Sequence, residues 1–131
     1  MMDEKKVAKI LLVEDARAAQ LVATKMLQSY FFFVDTADNG TRALELAMKN
    51  KYDLIFMDIG LPEAKNFGLI ATQEIRNNAQ GPNANAIIVA LTAFSDERIV
   101  NQSSKSGVNY FITKPLSMEG VKSVLERFKL I

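Results

Sequence analysis

Three features of this sequence predict a doubly wound α/β fold, a five-stranded parallel sheet in the order 2-1-3-4-5 carrying five helices. Four short, almost unbroken apolar runs, Ile10 to Val13, Leu54 to Met57, Ala86 to Leu91 and Tyr110 to Ile112, read as strands covered on both faces. Segments of helical apolar spacing alternate with them. The polar residues at the C-terminal ends of the runs form a chemically matched set, although the chain separates them widely.

The first strand ends in Glu14-Asp15 and leads to a helix marked by Ala18, Leu21, Val22 and Met26. Phe31-Phe32-Phe33-Val34 reads as a second, more aromatic strand at a sheet edge, its three rings divided between core and edge packing; that strand ends in Thr36-Ala37. Ala43, Leu44, Ala47 and Met48 mark a second helix, the run up to Met57 a third strand ending in Asp58, and Ile70 and Ile75 a third helix. The fourth strand ends in Thr92 and precedes a more polar helix over Ser95 to Ser106. The fifth ends at Lys114, before a helix capped by Ser117 that steps through Val121, Val124, Leu125 and Phe128. With no repeat and no linker composition, residues 1–131 read as one domain with a core from about residue 7 to 130.

Composition closes off several chemistries. The 131 residues hold 16 Lys and Arg against 15 Asp and Glu, a net charge of +1, which speaks against a direct nucleic-acid surface or a polybasic membrane patch. There is no Cys and no His, so catalysis within the chain must run on carboxylates, amines, hydroxyls and backbone amides. No apolar run approaches the ~18 residues of a membrane span. The opening Met1-Met2-Asp3-Glu4-Lys5-Lys6 lacks a signal-peptide core, and a cytoplasmic location is the expectation.

Ligands of doubly wound sheets bind outside the carboxyl ends of the strands, where the strand order reverses. In the predicted order that point lies between Glu14-Asp15 and Asp58. Three carboxylates crowded there repel one another, and a hard, oxygen-seeking cation such as Mg²⁺ resolves the conflict. Three negative charges would then face three positive ones, from Mg²⁺ and Lys114. An aspartate can accept a phosphoryl group covalently, and a metal, an ammonium and a hydroxyl suffice to steady the transferring oxygens. Asp58 is the candidate phosphoacceptor, Lys114 the cationic clamp and Thr92 the hydroxyl. Taken singly, each is an ordinary strand-end residue; jointly, on one sheet edge, they specify a chemistry.

These residues resemble the response-regulator receiver family of two-component signalling. Val13-Glu14-Asp15 is similar to its acidic pair, Met57-Asp58-Ile59-Gly60-Leu61-Pro62 to its phosphoacceptor segment, Ala90-Leu91-Thr92-Ala93 to its switch hydroxyl, and Thr113-Lys114-Pro115 to its lysine. Ala37 to Leu44 resembles its second-helix start, so the likeness covers almost the whole chain. The resemblance implies a flavodoxin-like fold, metal ligation by Asp15, Asp58 and the backbone carbonyl of Gly60, Glu14 acting mainly through water, and a cis bond before Pro115. It further implies a switch in which Thr92 and Phe111 reshape the face of the fourth helix, fifth strand and fifth helix. A histidine kinase or a histidine phosphotransfer domain would be the phosphodonor. The chain would be a regulatory phosphoacceptor that catalyses its own phosphorylation and dephosphorylation.

Two departures stand out: Glu63 to Phe67 holds what reads as a two-residue insertion, and Ser29-Tyr30-Phe31 lacks the family's glycine before the second strand. Phe94, two residues after Thr92, is a candidate for excluding water and slowing loss of the phosphoryl group, a hypothesis that Phe94→Ala would test. The chain reads either as a single-domain regulator or as the receiver of a hybrid sensor kinase, and the doubled Met and the Asp-Ile-Gly-Leu-Pro wording lean to the hybrid. A haloacid-dehalogenase-type phosphatase would need a second Asp where Gly60 stands, and a pseudo-receiver interaction module would not need to keep the whole site.

Overall fold

The computed structural model describes residues 7–59, 67–93, 101 and 105–131, with Phe67 described by its backbone alone. Five strands, β1 (Lys9–Val13), β2 (Phe33–Ala37), β3 (Leu54–Asp58), β4 (Ile87–Thr92) and β5 (Tyr110–Thr113), pair in parallel in the order β2-β1-β3-β4-β5. Among the described residues four helices accompany them: α1 (Arg17–Gln28), α2 (Gly40–Lys49), α3 (Phe67–Asn77) and α4 (Met118–Arg127). The expected helix over Ser95 to Ser106 lies largely outside the described residues, so α4 is the helix counted fifth in the sequence.

The central strands are buried on both faces because their side chains alternate between two apolar layers. Leu12, Phe56, Val89 and Leu91 pack with Leu27, Val124 and Leu125 beneath α1 and α4. Leu11, Val13, Ile55, Met57 and Ile88 pack with Ala43, Ala47 and Ile75 beneath α2 and α3. Asn39 caps α2 by accepting from Arg42 N, and Ser117 caps α4 by accepting from Gly120 N at 3.0 Å.

Three sequence expectations need correction. The inward face of α1 is Gln20, Ala23 and Leu27, while Leu21 and Val22 are exposed. The second strand starts at Phe33 rather than Phe31, because Phe31 turns through a left-handed φ of 64° where a glycine would be unstrained. Its ring is 87% exposed, Phe33 is also exposed, and only Phe32 packs against the core. Ile70 of α3 is likewise exposed, and Leu69, Ala71 and Thr72 face inward in its place.

Two contacts fix the elements that carry the site. A Cβ on Gly68 would run into the carbonyl of Asp58 and lie 2.8 Å from Ile59 Cα, so the first turn of α3 rests directly on the backbone of the last β3 residue. At the opposite end of the sheet the buried Asn83 side chain accepts from Tyr52 N at 2.8 Å and donates to the carbonyls of Ala47 and Asn50, tying the C-terminus of α2 to the start of β3.

Candidate functional site

The parallel register places the ends of β1, β3, β4 and β5 side by side. Val13 pairs with Met57, Asp58 with Leu91, and Thr92 with Thr113. Backbone bonds carry the ladder one residue further: Glu14 N donates to Ala37 O, Ile59 N to Leu91 O, and Lys114 N to Thr92 O. The side chains of Glu14, Asp15, Asp58, Thr92 and Lys114 therefore start from one edge.

Asp58 is fully buried and Glu14 nearly so, whereas Asp15 is exposed. Carboxylate oxygens of all three lie within 4.8 Å of one another. The Lys114 ammonium sits 2.7 Å from Asp58 Oδ2 and 3.2 Å from the Glu14 carboxylate. Burial, then the neighbouring Asp58, holds the Glu14 carboxyl above its ordinary value. Burial alone would lower Lys114, but pairing with Asp58 and Glu14 outweighs it and raises the ammonium. Among the described residues one cation thus faces three carboxylates, an imbalance that suits a hard divalent ion.

Glu14 is also held from behind. Gln20, buried one turn into α1, donates from Nε2 to the Glu14 carbonyl at 3.1 Å, and Ala16 N donates to Glu14 Oε2 at 3.3 Å. Nothing in the residue pattern marks Gln20 except its spacing of six after the acidic residue it steadies. Thr92 is buried at the end of β4. Phe111 is half-buried and packs on the small apolar cluster of Ile59, Leu69 and Ala90. Its neighbour Tyr110 turns the other way, edge-on to Phe128 and beneath the Arg127 guanidinium. The Lys114–Pro115 peptide is cis.

Beside the cluster opens an apolar cavity of about 490 Å³ between α1 and the chain after β5. Ala16, Ala19, Val22 and Leu116 form its walls, and Glu14 and Lys114 border it. Gly60, the Glu63 to Phe67 insertion and Phe94 lie outside the described residues, apart from the Phe67 backbone. Among the described residues no helix is long and apolar enough to cross a membrane.

Residues 10–126 match the response regulator receiver domain family. The chain is 35% identical over 125 residues to hybrid signal transduction histidine kinase B of Dictyostelium discoideum, covering 88% of the chain and 6% of that kinase. It is 35% identical over 126 residues to the osmosensing histidine protein kinase SLN1 of Saccharomyces cerevisiae, covering 92% of the chain and 10% of the kinase. The chain thus spans a small part of these relatives. Among solved structures, the receiver domain of a sensor histidine kinase from Pseudomonas aeruginosa, with a magnesium ion coordinated in its active-site cleft, matches with a TM-score of 0.82 and 32% identity over 94% of this chain and 98% of that one. The chemotaxis protein CheY4 of Vibrio cholerae matches with a TM-score of 0.85 and 25% identity, over 94% and 99%.

Proposed function

This chain belongs to the response regulator receiver family, a regulatory phosphoacceptor class, and on that premise we propose that Asp58 is the residue phosphorylated. A histidine kinase or a histidine phosphotransfer domain is the donor, and the transfer takes place in the cytoplasm. The observation that carries the reading is the Lys114 ammonium, 2.7 Å from Asp58 Oδ2 inside a cluster of three carboxylates.

The residues present fit Mg²⁺: their oxygens lie within 4.8 Å, and among the described residues a single ammonium leaves them short of positive charge. Asp15, Asp58 and the Gly60 carbonyl would hold it, with Glu14 acting mainly through water. Bound there, the metal supplies charge neutralisation for the phosphoryl oxygens.

In the forward step an Asp58 carboxylate oxygen attacks phosphorus. The phosphorus–nitrogen bond to the donor imidazole breaks, the new phosphorus–oxygen bond forms, and the imidazole leaves with the electron pair and takes up a proton. Lys114 stays beside the acceptor oxygens and steadies the charge spread over the phosphoryl group, while the Thr92 hydroxyl donates to one of its oxygens. Positioning and charge do this work, so the chain needs no histidine of its own, and the same groups would assist water in the reverse loss of phosphate. Thr92 drawn inward frees space for Phe111, and the surface around β5 and α4 changes.

Intact mass after incubation with Mg²⁺ and acetyl phosphate tests the reading. Wild type gains the mass of one phosphoryl group and Asp58→Asn gains none; no gain on wild type, or equal gain on both, would overturn it.

A further inference from the structure

The helix α3 touches the phosphoacceptor at one end and the approach to β5 at the other. Its first turn rests on the Asp58–Ile59 backbone through Gly68, and the buried Thr72 hydroxyl braces that turn by donating to Gly68 O at 2.9 Å. Near its other end, Arg76 spreads its guanidinium over three neutral acceptors: Nε donates to Gly107 O at 3.0 Å, one terminal nitrogen to Ala84 O at 3.0 Å and the other to Asn109 Oδ1 at 2.7 Å. Asn109 Oδ1 also accepts from Ile88 N of β4, so one amide oxygen joins α3, β4 and the residue before β5. Gly107 takes a φ of 101°, and a Cβ there would lie 2.8 Å from Arg76 Cγ, so the turn and the clasp are built around each other.

A second, apolar path runs in parallel. Ile59, the residue after Asp58, and Leu69 of α3 form one cluster with Ala90, against which Val108 and Phe111 pack. The β3 end and the start of β5 are therefore joined both through side-chain packing and through α3.

We propose that Arg76 is a positioning residue of the switch, clasping the Gly107–Asn109 segment to α3 so that a change at Asp58 is delivered to the strand that carries Phe111. Arg76 touches neither the carboxylate cluster nor Lys114, and it acts through the backbone it holds. Its planar fork matters more than its charge, since all three acceptors are neutral. The inference rests on Asp58 being the phosphoacceptor.

The test uses beryllium trifluoride with Mg²⁺ as a phosphoryl mimic, on wild type, Arg76→Met and Arg76→Lys, with amide hydrogen exchange read at residues 107–112. In wild type the mimic changes exchange there. In both variants it still binds, within about threefold of the wild-type affinity, but the change at 107–112 falls to less than about half. A change of wild-type size in the variants overturns the proposal, as does a uniform rise in exchange that leaves the difference between the two states intact, because that marks a merely structural role. Loss of mimic binding in both variants also overturns it. If Arg76→Met does not fold, Arg76→Lys alone decides. Failure of wild type to bind the mimic would sink the phosphoacceptor reading and this inference together, whereas binding with an undiminished response in the variants sinks only the inference.

Discussion

Lys114→Met removes the ammonium that bridges Asp58 and Glu14, and its consequences have opposite signs. In the metal-free protein the cluster goes from three carboxylates and one ammonium, a net −2, to a net −3. Breaking one side of a fully buried ion pair costs about 3–5 kcal/mol. The Lys114 side chain is 25% exposed, against 6% for Glu14 and 1% for Asp58, so water screens part of the loss and about 2–3 kcal/mol is expected. Urea unfolding without divalent ions should show that loss with an unchanged slope. Mg²⁺ should bind the variant more tightly, about tenfold, and so return about 1.4 kcal/mol of the lost stability at saturation. Acceptance of phosphate from acetyl phosphate should nevertheless fall about 100- to 1000-fold, because a preorganised cation is missing where charge develops. A variant with wild-type stability and wild-type Mg²⁺ affinity would refute the electrostatic account of the site.

Gly68→Ala should cost about 1–3 kcal/mol in urea unfolding, since the added methyl meets the Asp58–Ile59 backbone rather than a side chain that could move aside. Asn83→Ala leaves the buried Tyr52 N–H and two carbonyls without their partner, for a loss of about 2–4 kcal/mol, while acetyl phosphate still labels the protein. Burial, then the 2.7 Å bond to Asp35, pushes the Tyr52 phenol well above its ordinary range. Its stabilising contribution is therefore fully present below the unfolded phenol value of about 10 and is lost as pH rises from there toward the folded value. Tyr52→Phe should flatten that alkaline fall in unfolding curves taken across the same pH window.

The strand ends were legible because a parallel sheet buried on both faces writes its strands as apolar runs, and because Glu14, Asp58, Thr92 and Lys114 each interrupt such a run at its C-terminal end. The α1 face was not, since periodicity favours Leu21 and Val22 over a buried glutamine, and the inward Gln20 finds its partner in the Glu14 carbonyl. The start of β2 was hidden by Phe31, an aromatic residue in a left-handed turn that composition assigns to a strand. Arg76 and Asn83 gave no signal at all. Arg76 binds the Gly107 carbonyl and Asn83 the carbonyls at the end of α2, backbone atoms far away in sequence, and that is a property of how the segments meet, not of any local pattern.

The proposed phosphoacceptor and the residues that hold the fold share one stretch of backbone. Asp58 ends the strand that the β1 and β4 ladders pin from both sides, and its carbonyl is the surface on which α3 begins. A close-packed contact of that kind cannot absorb a displacement locally, because the glycine leaves no side chain to deform. The charge imbalance at Glu14, Asp15 and Asp58 makes the same point energetically, since among the described residues one ammonium faces three carboxylates, and the proposed cation and phosphoryl group would alter that balance. Asp58 is thereby tied to α3, whose far end grips the residues before β5 through Arg76, and a change in charge at Asp58 would have that helix to act upon.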